Sequence, residues 1–137
     1  MVDFPDVYCY IKLLNRDTNK AFNSGKEWDD NEAQQGVTVR YVVVNDSKMP
    51  TGTFVVTGAL SKDSVKINPN PVPGLQLSLA SKQVWTHEHI VNNPKPNSAG
   101  YKASILGDIG GIIPVEETEE NNKATATFSF DNSGGPK

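Results

Sequence analysis

Apolar and polar residues alternate with period two along several stretches of this chain, and almost nothing carries the 3.6-residue period of a helix. In residues 7–13, Val7, Cys9, Ile11 and Leu13 share one face while Tyr8, Tyr10 and Lys12 share the other, as in a half-buried strand. Residues 37–44 are dominated by β-branched side chains and form the strongest strand. It should send Val37, Val39, Tyr41 and Val43 inward, and Asn45-Asp46-Ser47 ends it. After the turn Met49-Pro50-Thr51-Gly52, residues 53–60 place Phe54, Val56 and Leu60 on one face. Residues 84–91 carry Trp85, His87, His89 and Val91 on one side and Val84, Thr86, Glu88 and Ile90 on the other. The Trp85 side is expected inward, because Glu88 is the harder residue to bury. Residues 101–108 and 123–130 complete the regular strands.

The intervening segments are less regular. Residues 15–35 are polar. Asn23-Ser24-Gly25-Lys26 reads as a turn of a small hairpin between Phe22 and Trp28; alternatively Asp29 or Asp30 caps one helical turn that runs through Gln35 and ends at Gly36. Residues 64–67 suit a short edge strand, broken by the prolines at 69, 71 and 73. Leu75, Leu77 and Leu79 alternate and are expected to cover the open end of the core. About seven strands separated by turns, each with one apolar face, need a second sheet to pack against. The expected fold is therefore all-β: an antiparallel β-sandwich with Greek-key connections. It forms a single domain over residues 1–131, and 132–137 serve as a flexible tail or linker. Val39, Tyr41, Phe54, Trp85, Tyr101 and Phe128 should be largely buried.

Composition narrows the partners. The 137 residues hold 13 basic and 16 acidic side chains, a net charge of −3, with no basic patch that would suit nucleic acid. No apolar run is long enough to insert in a membrane, and the first residues lack the basic and apolar regions of a signal peptide. The single cysteine, Cys9, excludes a disulfide framework and reads as a small buried apolar residue.

Candidate chemistry gathers at three places. Glu116, Glu117, Glu119, Glu120, Asn121 and Asn122 form an acidic turn between the last two strands, with Asp108 before it. Asn121 and Asn122 suit such a turn because an amide both donates to and accepts from unpaired backbone groups. Asp108, Glu116 and Glu119 also offer hard oxygen ligands for calcium, but without the Asp-x-Asp-x-Asp-Gly spacing of a dedicated loop. The structural reading is preferred, with no cofactor required. His87 and His89, two apart on a strand, have the geometry of a zinc pair that lacks a third ligand. Trp28 is either an anchor onto the core or an exposed ligand platform. Gly107, Gly110 and Gly111 do not lead into a helix, so they suit a bend rather than a phosphate loop. No serine lies in a Gly-x-Ser-x-Gly elbow. An enzyme is not expected.

Residues 36–130 resemble the CARDB domain, the cell-adhesion-related domain found in bacteria. The resemblance rests on Gly36-Val-Thr-Val-Arg-Tyr-Val-Val-Val-Asn45, on Leu79 followed six residues later by Trp85, and above all on Glu116-x-x-Glu119-x-Asn121-Asn122 before the last strand. Ala80-Ser81-Lys82 lacks the family's Pro-Gly, and residues 17–35 have no counterpart in it. The resemblance implies an immunoglobulin-like sandwich that acts as a non-catalytic binding, adhesion or spacer module. Such a module is extracellular or on a bacterial surface, with a protein or carbohydrate ligand or neighbouring domains as partners. The residues alone leave two other classes open: a small carbohydrate-active or metal-dependent hydrolase, and a cytoplasmic partner-binding protein.

Overall fold

In the computed structural model, residues 7–29, 36–67, 70–92, 98–108 and 123–131 are described. They form β1 (Val7–Asn15), β2 (Ala21–Phe22), β3 (Lys26–Asp29), β4 (Gly36–Asn45), β5 (Thr53–Lys62), β6 (Val65–Lys66), β7 (Val72–Ser78), β8 (Val84–Asn92), β9 (Ala99–Asp108) and β10 (Lys123–Asp131). One sheet has the order β2-β1-β4-β8. The other runs β3-β10-β9-β5-β6, with β7 also paired to β5. The chain crosses between sheets from β4 to β5, returns from β7 to β8, and crosses again from β8 to β9. These are the Greek-key connections of an immunoglobulin-like sandwich. Six of the seven long strands are those anticipated by the alternation; the seventh, β7, lies where Leu75, Leu77 and Leu79 were expected only to cover the core. β2, β3 and β6 are short additions at the edges.

The core lies between the sheets. Val7, Cys9 and Leu13 of β1 and Val37, Val39, Tyr41 and Val43 of β4 face Phe54, Val56, Leu60, Tyr101, Ala103, Ile105, Phe128 and Phe130. Tyr101 and Phe128 stack with centroids 5.2 Å apart, and Phe130 meets both edge-on. Tyr41 reaches across and donates its hydroxyl hydrogen to the Ala59 carbonyl at 2.8 Å. Gly58 makes room for that ring: a Cβ there would lie 2.9 Å from both the Tyr41 ring and Val72.

Four expectations are corrected. Phe22 and Trp28 do not belong to one hairpin. β2 pairs with β1, the Asn23–Gly25 turn crosses the sandwich, and β3 pairs with β10 in parallel, the single parallel pairing among the described strands. That turn is latched by Gly25 N–H donating to the Thr127 carbonyl (2.7 Å) and by Ser24 Oγ accepting from Thr127 N–H (2.9 Å). Trp85 points inward but is only partly buried, because β8 is the outermost strand of its sheet. Of the three alternating leucines only Leu79 is buried. Leu75 and Leu77 sit on β7, at a sheet edge. Finally, Leu14, Thr38, Val42 and Val44 are buried on the outer face of the first sheet, where simple alternation would leave them in water. Val42 and Val44 sit on a central strand, with Tyr10 and Tyr8 directly opposite on β1 and Thr86 and Val84 on β8. The two tyrosine rings stack 6.2 Å apart. Side chains this large, directly across a ladder, shield the valines between them.

One corner fastens the two crossings together. Asn45, fully buried at the end of β4, donates from Nδ2 to the carbonyls of Met49 (2.7 Å) and Ala80 (3.0 Å), and its Oδ1 accepts from Ser47 N–H and Oγ. Thr51 N–H donates to the Leu79 carbonyl, and Leu79 N–H donates to Thr51 Oγ1, both at 2.9 Å. The β4–β5 turn and the β7–β8 connection are thus one hydrogen-bonded unit.

Candidate functional site

The strip of β8 that faces inward brings together the two histidines. Its cross-strand partners on β4 are Val43 for Trp85, Tyr41 for His87 and Val39 for His89. The Trp85 and His87 rings stack 6.3 Å apart at 11°, and His87 tilts against Tyr41 at 6.5 Å. Burial, and after it the charge of His87, holds His89 below the usual histidine value. Burial alone pushes the Tyr41 phenol well above its usual value, so that hydroxyl stays a donor. Two imidazoles on one face supply two zinc ligands, and a tetrahedral site needs at least three from protein. Among the described residues no group of three or more His, Cys, Asp or Glu side chains converges. The described residues of one chain therefore do not fit a metal at His87 and His89.

The other expected sites fall largely elsewhere. Asp108 ends β9 opposite Val55, but its side chain lies outside the described residues. So do Glu116, Glu119, Asn121 and Asn122, and with them both the structural-turn and calcium readings. Trp28 pairs with Phe130 in the β3–β10 ladder, and its side chain likewise lies outside. Cys9 is buried as anticipated. Burial pushes its thiol up to about 12, partly offset by a hydrogen bond with the Gly107 backbone, so it is not a nucleophile at neutral pH.

A feature that no motif announced is a groove of about 660 Å³ at one end of the second sheet, lined by Ser61, Asp63, Ser64, Lys102, Thr127 and Ser129 among others. Asp63 and Ser64 both take positive φ, which closes the tight β5–β6 hairpin. Asp63 also grips the start of β9: its Oδ1 accepts from Gly100 N–H and its own N–H donates to the Gly100 carbonyl, both at 2.8 Å. Behind the groove Tyr101 is raised above its usual value, first by burial and then by the Asp63 charge. The lining offers hydroxyls, one carboxylate and one ammonium, with no imidazole or thiol among them. It can hydrogen-bond a polar ligand. Its one carboxylate, Asp63, already accepts from Gly100 N–H. The only sequence signal for it was serine and threonine on alternate positions of the last strand, which is also what any solvated sheet face shows.

No family model matches the sequence, and no curated protein matches it. Solved structures do match. A crystal structure of the CARDB domain of the PF1109 protein from Pyrococcus furiosus, in complex with di-metal ions, aligns over 96% of this chain and 92% of its own, with a TM-score of 0.55 and 14% identity. A solution structure of the CARDB domain of PF1109 aligns over 96% and 99%, with a TM-score of 0.52 and 14% identity. The chain therefore has the fold of CARDB domains, the family that Gly36–Asn45 and the double asparagine resemble. It is an all-β, immunoglobulin-like sandwich.

Proposed function

We propose that this protein is a non-catalytic binding or spacer module, of the adhesion-related kind, in a secreted or surface-exposed protein. The observation that carries the reading is the shared fold with CARDB domains along 96% of the chain. The groove supports it, since its lining suits a polar ligand such as a carbohydrate or peptide rather than bond cleavage. The di-metal complex of the archaeal neighbour raises metal binding for this chain as well. Its hard oxygen donors, Asp108, Glu116 and Glu119, lie at the acidic turn, which we read as a structural turn first. The test is a panel of ester, glycoside, peptide and phosphoester substrates with purified protein, for which no turnover is expected. Reproducible hydrolysis lost on His87→Ala or Asp63→Asn would overturn the non-catalytic reading. Fractionation of the source cells tests the surface location, and recovery of the native protein solely from the cytoplasm would refute it.

A further inference from the structure

The first sheet ends in an unusual edge. β8 is nine residues long, pairs in unbroken register with β4, and has no other strand partner among the described residues. Natural edges of this length are blunted by proline, a bulge or an inward-pointing charge. β8 has no proline or bulge, and its carboxylate, Glu88, points outward, where it pairs with Arg40 at 2.6 Å. The strand also leaves apolar surface on both faces. Val84 is 53% and Ile90 52% exposed on the outside, and Trp85, His87 and His89 are partly exposed on the inside.

We propose that β8 pairs antiparallel with β8 of a second copy, about a two-fold axis that passes beside His87. The choice of occupant and register comes from the strand itself. A two-fold normal to the sheet keeps each copy's faces on the same side. Directly opposite residues must also share a face. Only registers whose paired numbers sum to an even value satisfy both. A centre at Glu88 sets two like charges against each other, and a centre at Thr86 sets Val84 against Glu88. A centre at His87 sets Val84 against Ile90 of the second copy, twice by symmetry, and Glu88 against Thr86. On the inner face it sets Trp85 against His89 and His87 against His87. The two most exposed aliphatic side chains of the strand thus cover each other, and no like carboxylates meet. A continuous eight-stranded sheet results, and the edge is removed from water. It also sets four imidazoles, from His87 and His89 of each copy, around one axis.

Sedimentation velocity between about 1 and about 200 micromolar tests the pairing, and a concentration-dependent dimer is expected. Ile90→Lys leaves the fold intact, because that side chain is exposed, and should weaken the dimer by at least about tenfold. Register is read by mild oxidation of single cysteine variants checked for native circular dichroism. His87→Cys should cross-link to itself, and Thr86→Cys and Glu88→Cys should do so several-fold more slowly. A monomer throughout the range, assembly beyond a dimer, a dimer indifferent to Ile90→Lys, or preferential cross-linking at 86 or 88 would each overturn the proposal.

Discussion

Asn45 shows how much can rest on one side chain. The sequence presents it as a strand-ending polar residue, which it is. Its reach to Met49 and Ala80 depends on two turns that meet only in the folded sandwich. Removing a buried partner leaves carbonyls unpaired at about 1–3 kcal/mol each. Asn45→Ala should therefore destabilise the protein by roughly 2–4 kcal/mol in chemical denaturation, and Asp46→Ala, next to it and exposed, by less than about 1 kcal/mol. Equal effects would mean that the corner does not hold the crossings together. His89 gives a second residue-level forecast. Its folded value lies below the usual 6.5, so the folded state takes up a proton less readily than the unfolded chain. Above 6.5 both states are neutral and the group contributes nothing. As pH falls through 6.5 the unfolded state gains the proton first, and stability is lost until the lowered folded value has been passed. Between about pH 7.5 and about pH 5 the melting temperature should fall more steeply for the wild type than for His89→Gln. Parallel curves would show that burial of the ring does not matter to folding.

At the scale of elements, period two made six of the seven long strands and their inward phase legible, and Tyr41, Phe54, Tyr101 and Phe128 are buried as the alternation required. Position within the sheet was not legible, because alternation reports which way a side chain points and not how much lies over it. This is why Trp85 has the expected direction without the expected cover, while Val42 and Val44 point outward and are still buried. The β2–β3 turn failed for a related reason. A short Asn-Ser-Gly turn looks the same whether it closes a hairpin or crosses between sheets, and only the pairing of β3 with β10 distinguishes the two. The measurable consequence falls on β8. Burying a whole aromatic would make Trp85→Ala cost about 3–5 kcal/mol, whereas an edge position lowers this to roughly 1–3 kcal/mol. Thr86→Ala, on the exposed face, should stay within about 0.5 kcal/mol. A tryptophan loss as small as the threonine one would place the ring in solvent.

Across the whole molecule, hydrogen bonds of two kinds fasten the two ends of the sandwich. At one end the Asn45–Thr51–Ala80 corner ties two crossings with buried hydrogen bonds. At the other, the Ser24–Gly25 latch and the Asp63–Gly100 clasp hold the groove's rim to β10 and β9. Neither was visible in the chain, since each joins residues far apart in sequence. The acidic run between β9 and β10 is plain in the sequence but lies outside the described residues, and its role is decided by a global measurement. If Asn121 and Asn122 lock the turn, one of the two amides faces in and the other out, because adjacent residues entering a strand point to opposite sides. Replacing the inward one by alanine should then lower global stability by about 1–3 kcal/mol, and replacing the other should do much less. Glu116→Gln and Glu119→Gln should have little effect, as solvated carboxylates do. Calcium makes the reverse forecast. The carboxylate variants would suffer most, and an ion that binds only the folded state would raise the melting temperature through linkage. Thermal melts of the four variants, in millimolar calcium and in chelator, separate the two. We expect overlapping wild-type curves; a rise of several degrees with calcium, abolished by Glu116→Gln, would make the turn a metal site.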